Sequence, residues 1–303
     1  MRGPRRIATA VRDPKGEIRV NAYPFESVSR KHRILGWPVL RGVVGLYEAL
    51  SIGVRSLNWS ADVAAEGEEQ TEKKWYDPIF SVLMSVFAVA VGIGLFMAVP
   101  YAVAGLIPTA QNQIHFHLVA GGLRIVLLIG YMWGISLIPD ITTVFRYHGA
   151  EHKSIFAFEK EVERTPANAC AQSRFHPRCG TSFLLLAAVL TMIGFMIFDS
   201  FWTVYVGSYG SVAARIAVHL PLIPFIAGLS YEFLRLVERH SEDRAWQPFV
   251  KPGFWLQKIT TREPDESQVE VALAALEEAL LTDEVEYIGA PRHQANTATA
   301  QAS

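Results

Sequence analysis

Four stretches of the chain stay apolar for about the length of one bilayer crossing: Ile79–Val99, Ile114–Ile138, Phe183–Phe198 (extending to about Trp202) and Val212–Ser230. A helix of about 20 such residues crosses roughly 30 Å of hydrocarbon, so each predicts a transmembrane span. Elsewhere the pattern changes. Arg6–Arg12 and Glu17–Tyr23 alternate around Asp13-Pro14-Lys15-Gly16, which predicts a β-hairpin. Gly36–Leu57 is apolar but carries Arg41, Glu48 and Arg55 seven residues apart. That spacing keeps the charges on one face and predicts an amphipathic helix at the membrane interface, with a re-entrant segment as the alternative. Val269, Leu273, Leu276 and Leu280 share one face behind Asp265 and Glu266, predicting an amphipathic helix over Pro264–Leu281.

Prolines place further boundaries. The first span is expected to stop at Pro100 and the second at Pro139, with Asp140 capping the next helix, which runs from Ile141 to about Glu163 and ends at Thr165-Pro166. The fold class expected is an all-α polytopic membrane protein with four transmembrane helices, cytoplasmic amphipathic helices and a small N-terminal β-hairpin. Its parts are a hairpin region (1–35), an interfacial helix (36–58), a polar linker (59–78), a four-span membrane domain (79–230) enclosing a motif loop (139–182), a C-terminal helical region (231–289) and a disordered tail (290–303).

Charge adds an orientation. The chain has 303 residues, 28 Lys+Arg against 29 Asp+Glu and a net charge of −1. Half the residues are hydrophobic, 19% are charged and mean hydropathy is +0.21. High apolar content excludes a disordered chain, and the absence of basic excess gives no sign of a nucleic-acid binder. Two cysteines exclude a disulfide scaffold. Thirteen Lys/Arg lie in residues 1–78, six in 139–182 and seven in 231–303; the connections 100–113 and 199–211 have none. Positive residues gather on the cytoplasmic side, so the N-terminus, the motif loop and the C-terminus are expected there, in the cytoplasmic (inner) membrane of a bacterium.

The chemistry sits in the motif loop. His148 and His152 are four apart on one helical face, close enough to share one ion, and Glu151 stands beside them. The spacing is H-x-x-E-H, in which the glutamate takes a proton from metal-activated water. Phe145, His148, His152, Ile155 and Glu159 form an inward stripe, while Arg146, Lys153 and Lys160 form a basic stripe facing water or headgroups. His176 or Cys179 completes the site, with a divalent metal, zinc, as cofactor; the competing reading is two buried histidines and a structural cysteine. Arg174 and Arg178 flank the loop as contacts for an anionic substrate or headgroup, or as interfacial anchors. Cys170 is expected to pack.

Three charges fall within or beside the spans. Arg124 lies deep and requires a partner, Asp199 or Glu48; Arg215 lies nearer the outer surface, level with Asp199. His115 and His117, two apart, point to different sides, which disfavours a bis-histidine haem.

Tyr147-His148-Gly149-Ala150-Glu151-His152-Lys153, followed by Arg178-Cys179-Gly180-Thr181-Ser182-Phe183, resembles the YqhQ-like family of bacterial membrane proteins. Supporting matches are Met1-Arg2-Gly3-Pro4, Arg41-Gly42-Val43, Pro252-Gly253, Leu256-Gln257 and Thr260-Thr261. The resemblance covers about residues 1–281. Relatives carry a glycine-containing segment ahead of the Met-Arg-Gly-Pro motif. The family is a domain of unknown function labelled a metal-dependent enzyme, so the resemblance implies metal chemistry and no particular substrate. Two functions are therefore expected: a metal-dependent hydrolase acting on a membrane-associated substrate, or a non-enzymatic partner in membrane-protein or envelope assembly whose motif loop is a structural clasp. The expected partners are the lipid bilayer, that substrate or a protein partner, and a second copy in a homo-oligomer.

Overall fold

The computed structural model describes residues 1–66, 77–107 and 112–281. Strands β1 (Arg6–Arg12) and β2 (Ile18–Pro24) pair antiparallel with Arg12 opposite Ile18. The Asp13 carboxylate closes the turn by accepting the backbone N–H of Lys15 and of Glu17, each at 2.9 Å, and Gly16 supplies a φ of +88°. A short helix α1 (Val28–Lys31) leads to α2 (Leu40–Ala64). Helix therefore continues past residue 58 into the segment read as polar linker. Linker residues 67–76, residues 282–289 of the C-terminal region and the tail 290–303 lie outside the described residues.

The first apolar run is α3 (Asp77–Ile93), a π-helical turn (Gly94–Ala98) and α4 (Val99–Gly105) in series. Then come α5 (Gln113–Ile135), α6 (Pro139–Glu159), α7 (Pro166–Cys170), α8 (Gly180–Tyr205), α9 (Val212–His219), α10 (Leu222–Arg239), α11 (Gln247–Thr260) and α12 (Glu266–Leu280). Among the described residues, three runs are long and apolar enough to cross a membrane: Val82–Gly105, Gln113–Ile135 and Gly180–Tyr205. A fourth candidate is the pair α9–α10, bent by 51°. The fold is all-α and polytopic, with one small sheet at its N-terminal end.

Several boundaries differ from the sequence reading. Pro100 does not end its helix; the π-helical turn before it widens the backbone, and α4 continues to Gly105. Pro139 starts α6 as its first residue, with Ile138 as N-cap and Asp140 inside the first turn. Thr165 is the N-cap of α7, its hydroxyl accepting from Asn168 N–H. The fourth apolar stretch is not one straight helix, because Pro221 and Pro224 interrupt the hydrogen-bond ladder near the bend.

Two cores result. Met97, Tyr101, Ala104, Phe116, Ala120, Phe195 and Ile226 fill the helical bundle. Ala150, Ala157, Ala169, Val269, Ala272, Leu273 and Leu276 join α6, α7 and α12 into a second body that also carries the hairpin. Alanines on α6 let α12 approach closely. Asp265 and Gln268 start α12 with reciprocal side-chain caps.

Candidate metal centre

Helix α6 presents His148 and His152 one turn apart, with ring centroids at 4.5 Å. Cys179 is the N-cap of α8 and brings its thiol to them. One nitrogen from each histidine and Cys179 Sγ all lie within 4.8 Å of one another. His148 Nε2 is 3.2 Å from Sγ.

Backbone carbonyls select the ring nitrogens that do this. His148 Nδ1 lies 2.8 Å from the Thr260 carbonyl, and His152 Nδ1 lies 2.6 Å from the Arg174 carbonyl. A carbonyl only accepts, so both Nδ1 atoms carry hydrogen and each neutral ring keeps its Nε2 lone pair for the centre. This is how ligating histidines are oriented in metal sites. The Thr260 carbonyl reaches His148 because α11 ends there and the chain turns across α6. Gly149 permits the crossing, since a Cβ on it would overlap the Arg262 carbonyl.

Burial opposes ionisation of Cys179, yet the His148 and His152 imidazoles beside it outweigh that and bring its thiol from 9.0 to about 5. Burial likewise opposes charging of His148, but the Cys179 hydrogen bond and thiolate charge hold it above its ordinary value. Both shifts favour the ionised pair, thiolate beside imidazolium, and a metal held there would take the thiolate and displace any imidazole proton. In Cys170→Ser protein stripped of metal, alkylation of Cys179 should fall only as pH drops through about 5, since the thiolate is lost there. Replacing His148 by Gln should move that midpoint up, toward the ordinary thiol value. A midpoint in the ordinary thiol range in both proteins would refute the pairing.

His176 is near this group but not in it. Its Nδ1 accepts the Arg178 backbone N–H at 3.2 Å, and its Nε2 faces Glu159 at 3.2 Å. Both ring nitrogens are thus engaged, and burial keeps the imidazole below its ordinary value despite Glu159. Glu159 also pairs with Arg178. A cleft of about 270 Å³ opens over the centre, lined by Glu151, Ile155, Glu159, His176 and Arg178 as well as the triad. Glu151 therefore shares a solvent space with the three ligand atoms.

Other residues are placed differently from the stripe pattern. Lys153 is only 4% exposed. Its ammonium donates to the carbonyls of Cys170 and Gln172 at 2.7 and 2.8 Å and meets Glu263 at 2.6 Å. It faces the protein, not water, because three acceptors replace its hydration. Arg174 turns inward as well, donating to the Thr261 carbonyl at 2.6 Å. Sequence reasoning missed Gln257, which is fully buried and brackets His176 by accepting from its N–H at 2.9 Å and donating to its carbonyl at 2.8 Å.

A second polar centre lies near the other end of α8. Asp199 accepts from His117 Nε2 at 2.8 Å, His219 Nε2 at 2.7 Å and the Tyr209 hydroxyl at 2.7 Å, and Arg215 Nε stands 3.5 Å away. Tyr101 donates to His219 Nδ1 at 2.7 Å. Arg124 is paired with neither Asp199 nor Glu48. Its Nε donates to the Phe96 carbonyl at 2.7 Å. Pro100, four residues on, has no N–H to offer that carbonyl. Glu48 instead accepts from the Ser27 hydroxyl and Val28 N–H, with Arg2 at 3.4 Å. His115 is exposed and His117 buried, so they do point to different sides.

The family model described as "Protein of unknown function (DUF1385)" matches residues 37–282. The chain is 30% identical over 292 residues to the "Uncharacterized protein YqhQ" of Bacillus subtilis (strain 168), covering 92% of this chain and 88% of that protein. No solved structure matches it.

Proposed function

The chain belongs to the DUF1385 family of proteins of unknown function, and from that premise we propose that it is an integral membrane protein that uses a divalent metal, zinc, to hydrolyse a membrane-associated substrate. The observation that carries this reading is the pair of carbonyl bonds at Nδ1 of His148 and His152, which leave both Nε2 atoms directed at the Cys179 thiolate. Two imidazoles and a thiolate suit zinc, and three protein ligands leave a position open, as in catalytic zinc sites. Zinc held there supplies Lewis-acid activation of water near neutral pH. Glu151, in the same cleft, accepts the proton and returns it to the leaving group. His176 stays outside the ligand set and holds the cleft wall with Glu159. The centre adjoins the first residue of an apolar 26-residue helix, which fits a substrate residing in or on the membrane. The distribution of Lys and Arg supports a cytoplasmic position for this face and both termini, in the inner membrane of a bacterium.

The clasp reading has its own support: Lys153, His152, Arg174 and Gln257 all fasten the segment 170–178 through main-chain bonds. Glu151→Gln separates the two. For a hydrolase, the variant keeps zinc and its melting temperature but loses about 10²–10⁴ in rate. Membrane extracts of cells making it should then differ from wild type in the same components as extracts from His148→Ala cells. Extracts matching wild type, with His148→Ala protein unfolded, would establish the clasp.

A further inference from the structure

Helix α2 turns Arg41 and Glu48 toward the protein and an apolar face away from it. Arg41 forms a two-pronged ion pair with Glu232 of α10. Glu48 is buried against Ser27 and Val28, and the Arg55 guanidinium lies 4.4 Å from the Tyr23 ring centre. Each of the three heptad-spaced charges therefore meets a partner within the chain. On the opposite side of the same helix, Tyr47, Leu50, Val54 and Leu57 are 72, 62, 58 and 65% exposed. They recur at i, i+3, i+7 and i+10, one continuous stripe.

The docking of α2 fixes its depth. Gly42 abuts Gly228 and Tyr231 of α10, and at both glycines a Cβ would overlap the facing backbone. Val39, the N-cap of α2, has a φ of +69°. That conformation is costly for a β-branched residue, and the close approach to Gly228 accompanies it. This crossing lies where α10 changes from apolar (Leu222–Leu229) to charged (Glu232, Arg235, Glu238, Arg239), which is where a spanning helix leaves hydrocarbon. Just before α2, Arg30, Lys31 and Arg33 are exposed next to exposed Ile34 and Trp37. Basic and aromatic side chains together match the phosphate and acyl layers of a bilayer surface.

We propose that the Tyr47–Leu50–Val54–Leu57 face of α2 is seated in the lipid interface, so that this helix, about 37 Å long at 1.5 Å per residue, lies in the membrane plane beside the spans. The proposal rests on the membrane-spanning reading but not on the metal. Depth follows from the same physics: an interfacial helix buries its apolar face by roughly 5–10 Å.

Nitroxide labels at single cysteines replacing Leu50, Val54 and Leu57, in full-length Cys170→Ser protein in phosphatidylcholine–phosphatidylglycerol nanodiscs, test it. A label at Phe87 in α3 reports the span, and the Cys170→Ser parent measures uptake by Cys179. At residues 50, 54 and 57, collision with oxygen should exceed collision with a water-soluble nickel chelate, at a depth shallower than residue 87. If residue 87 is lipid-exposed while 50, 54 and 57 favour the nickel chelate, the seat is refuted and the spans stand. If 50, 54 and 57 are shielded from both and show label–label broadening, the face binds a second copy and the seat is equally refuted. A water-exposed residue 87 would refute the spanning reading itself.

Discussion

Asp199→Ala should lower the stability of the helical bundle by about 3–5 kcal/mol, the cost of removing one partner from a buried charged network. The substitution leaves two imidazole N–H groups and a phenol without their acceptor, and leaves Arg215 beside no carboxylate. His117, His219 and Asp199 are buried almost completely, so water does not compensate cheaply. Asp199→Asn should cost less, since one carbonyl oxygen still accepts. The check is thermal unfolding in detergent, with Ser200→Ala as the exposed neighbour control. A melting temperature within 2 °C of wild type, taken as about the resolution of the assay, would show that these bonds do not hold the bundle. The centre near Cys179 lies about 30 Å away along α8, at 1.5 Å per residue, so its zinc content should not change.

The second large effect is stabilisation by metal. Zinc at a free concentration a hundredfold above its dissociation constant should add about 2.7 kcal/mol through linkage. For a chain of this size that is a rise of about 4 °C in melting temperature. The rise should vanish in Cys179→Ala and in His152→Ala. In Gln257→Ala it should shrink without vanishing, because Gln257 holds the His176 backbone and touches no ligand atom. Magnesium should give no rise, since it prefers oxygen donors. An equal rise in wild type and Cys179→Ala would place the bound zinc elsewhere.

The spans, the hairpin and the final helix were legible in the sequence because each is a local pattern. Period two around Asp13 to Gly16, period 3.6 from Val269 to Leu280, and apolar length are properties of adjacent residues. The i, i+4 spacing of His148 and His152 was legible for the same reason. What the pattern misses are contacts across long separations. His117 and Asp199 are 82 residues apart and Tyr101 and His219 are 118 apart, so no window contains the network. Lys153 read as an exposed base because a pattern cannot reveal two facing carbonyls. Thr260 was invisible as a positioning group, since it contributes its main-chain oxygen, which every residue has. Pro100 read as a stop because a proline interrupts hydrogen bonding; the π-helical turn absorbs the interruption, and Arg124 takes the Phe96 carbonyl.

The most direct test of the account is the zinc content of protein purified in detergent without added metal, wild type beside His148→Ala/His152→Ala. Wild type should carry about one zinc per chain, the number one triad binds, and a folded double variant none above background. Equal metal in both proteins, or none in wild type after zinc is supplied, would contradict it.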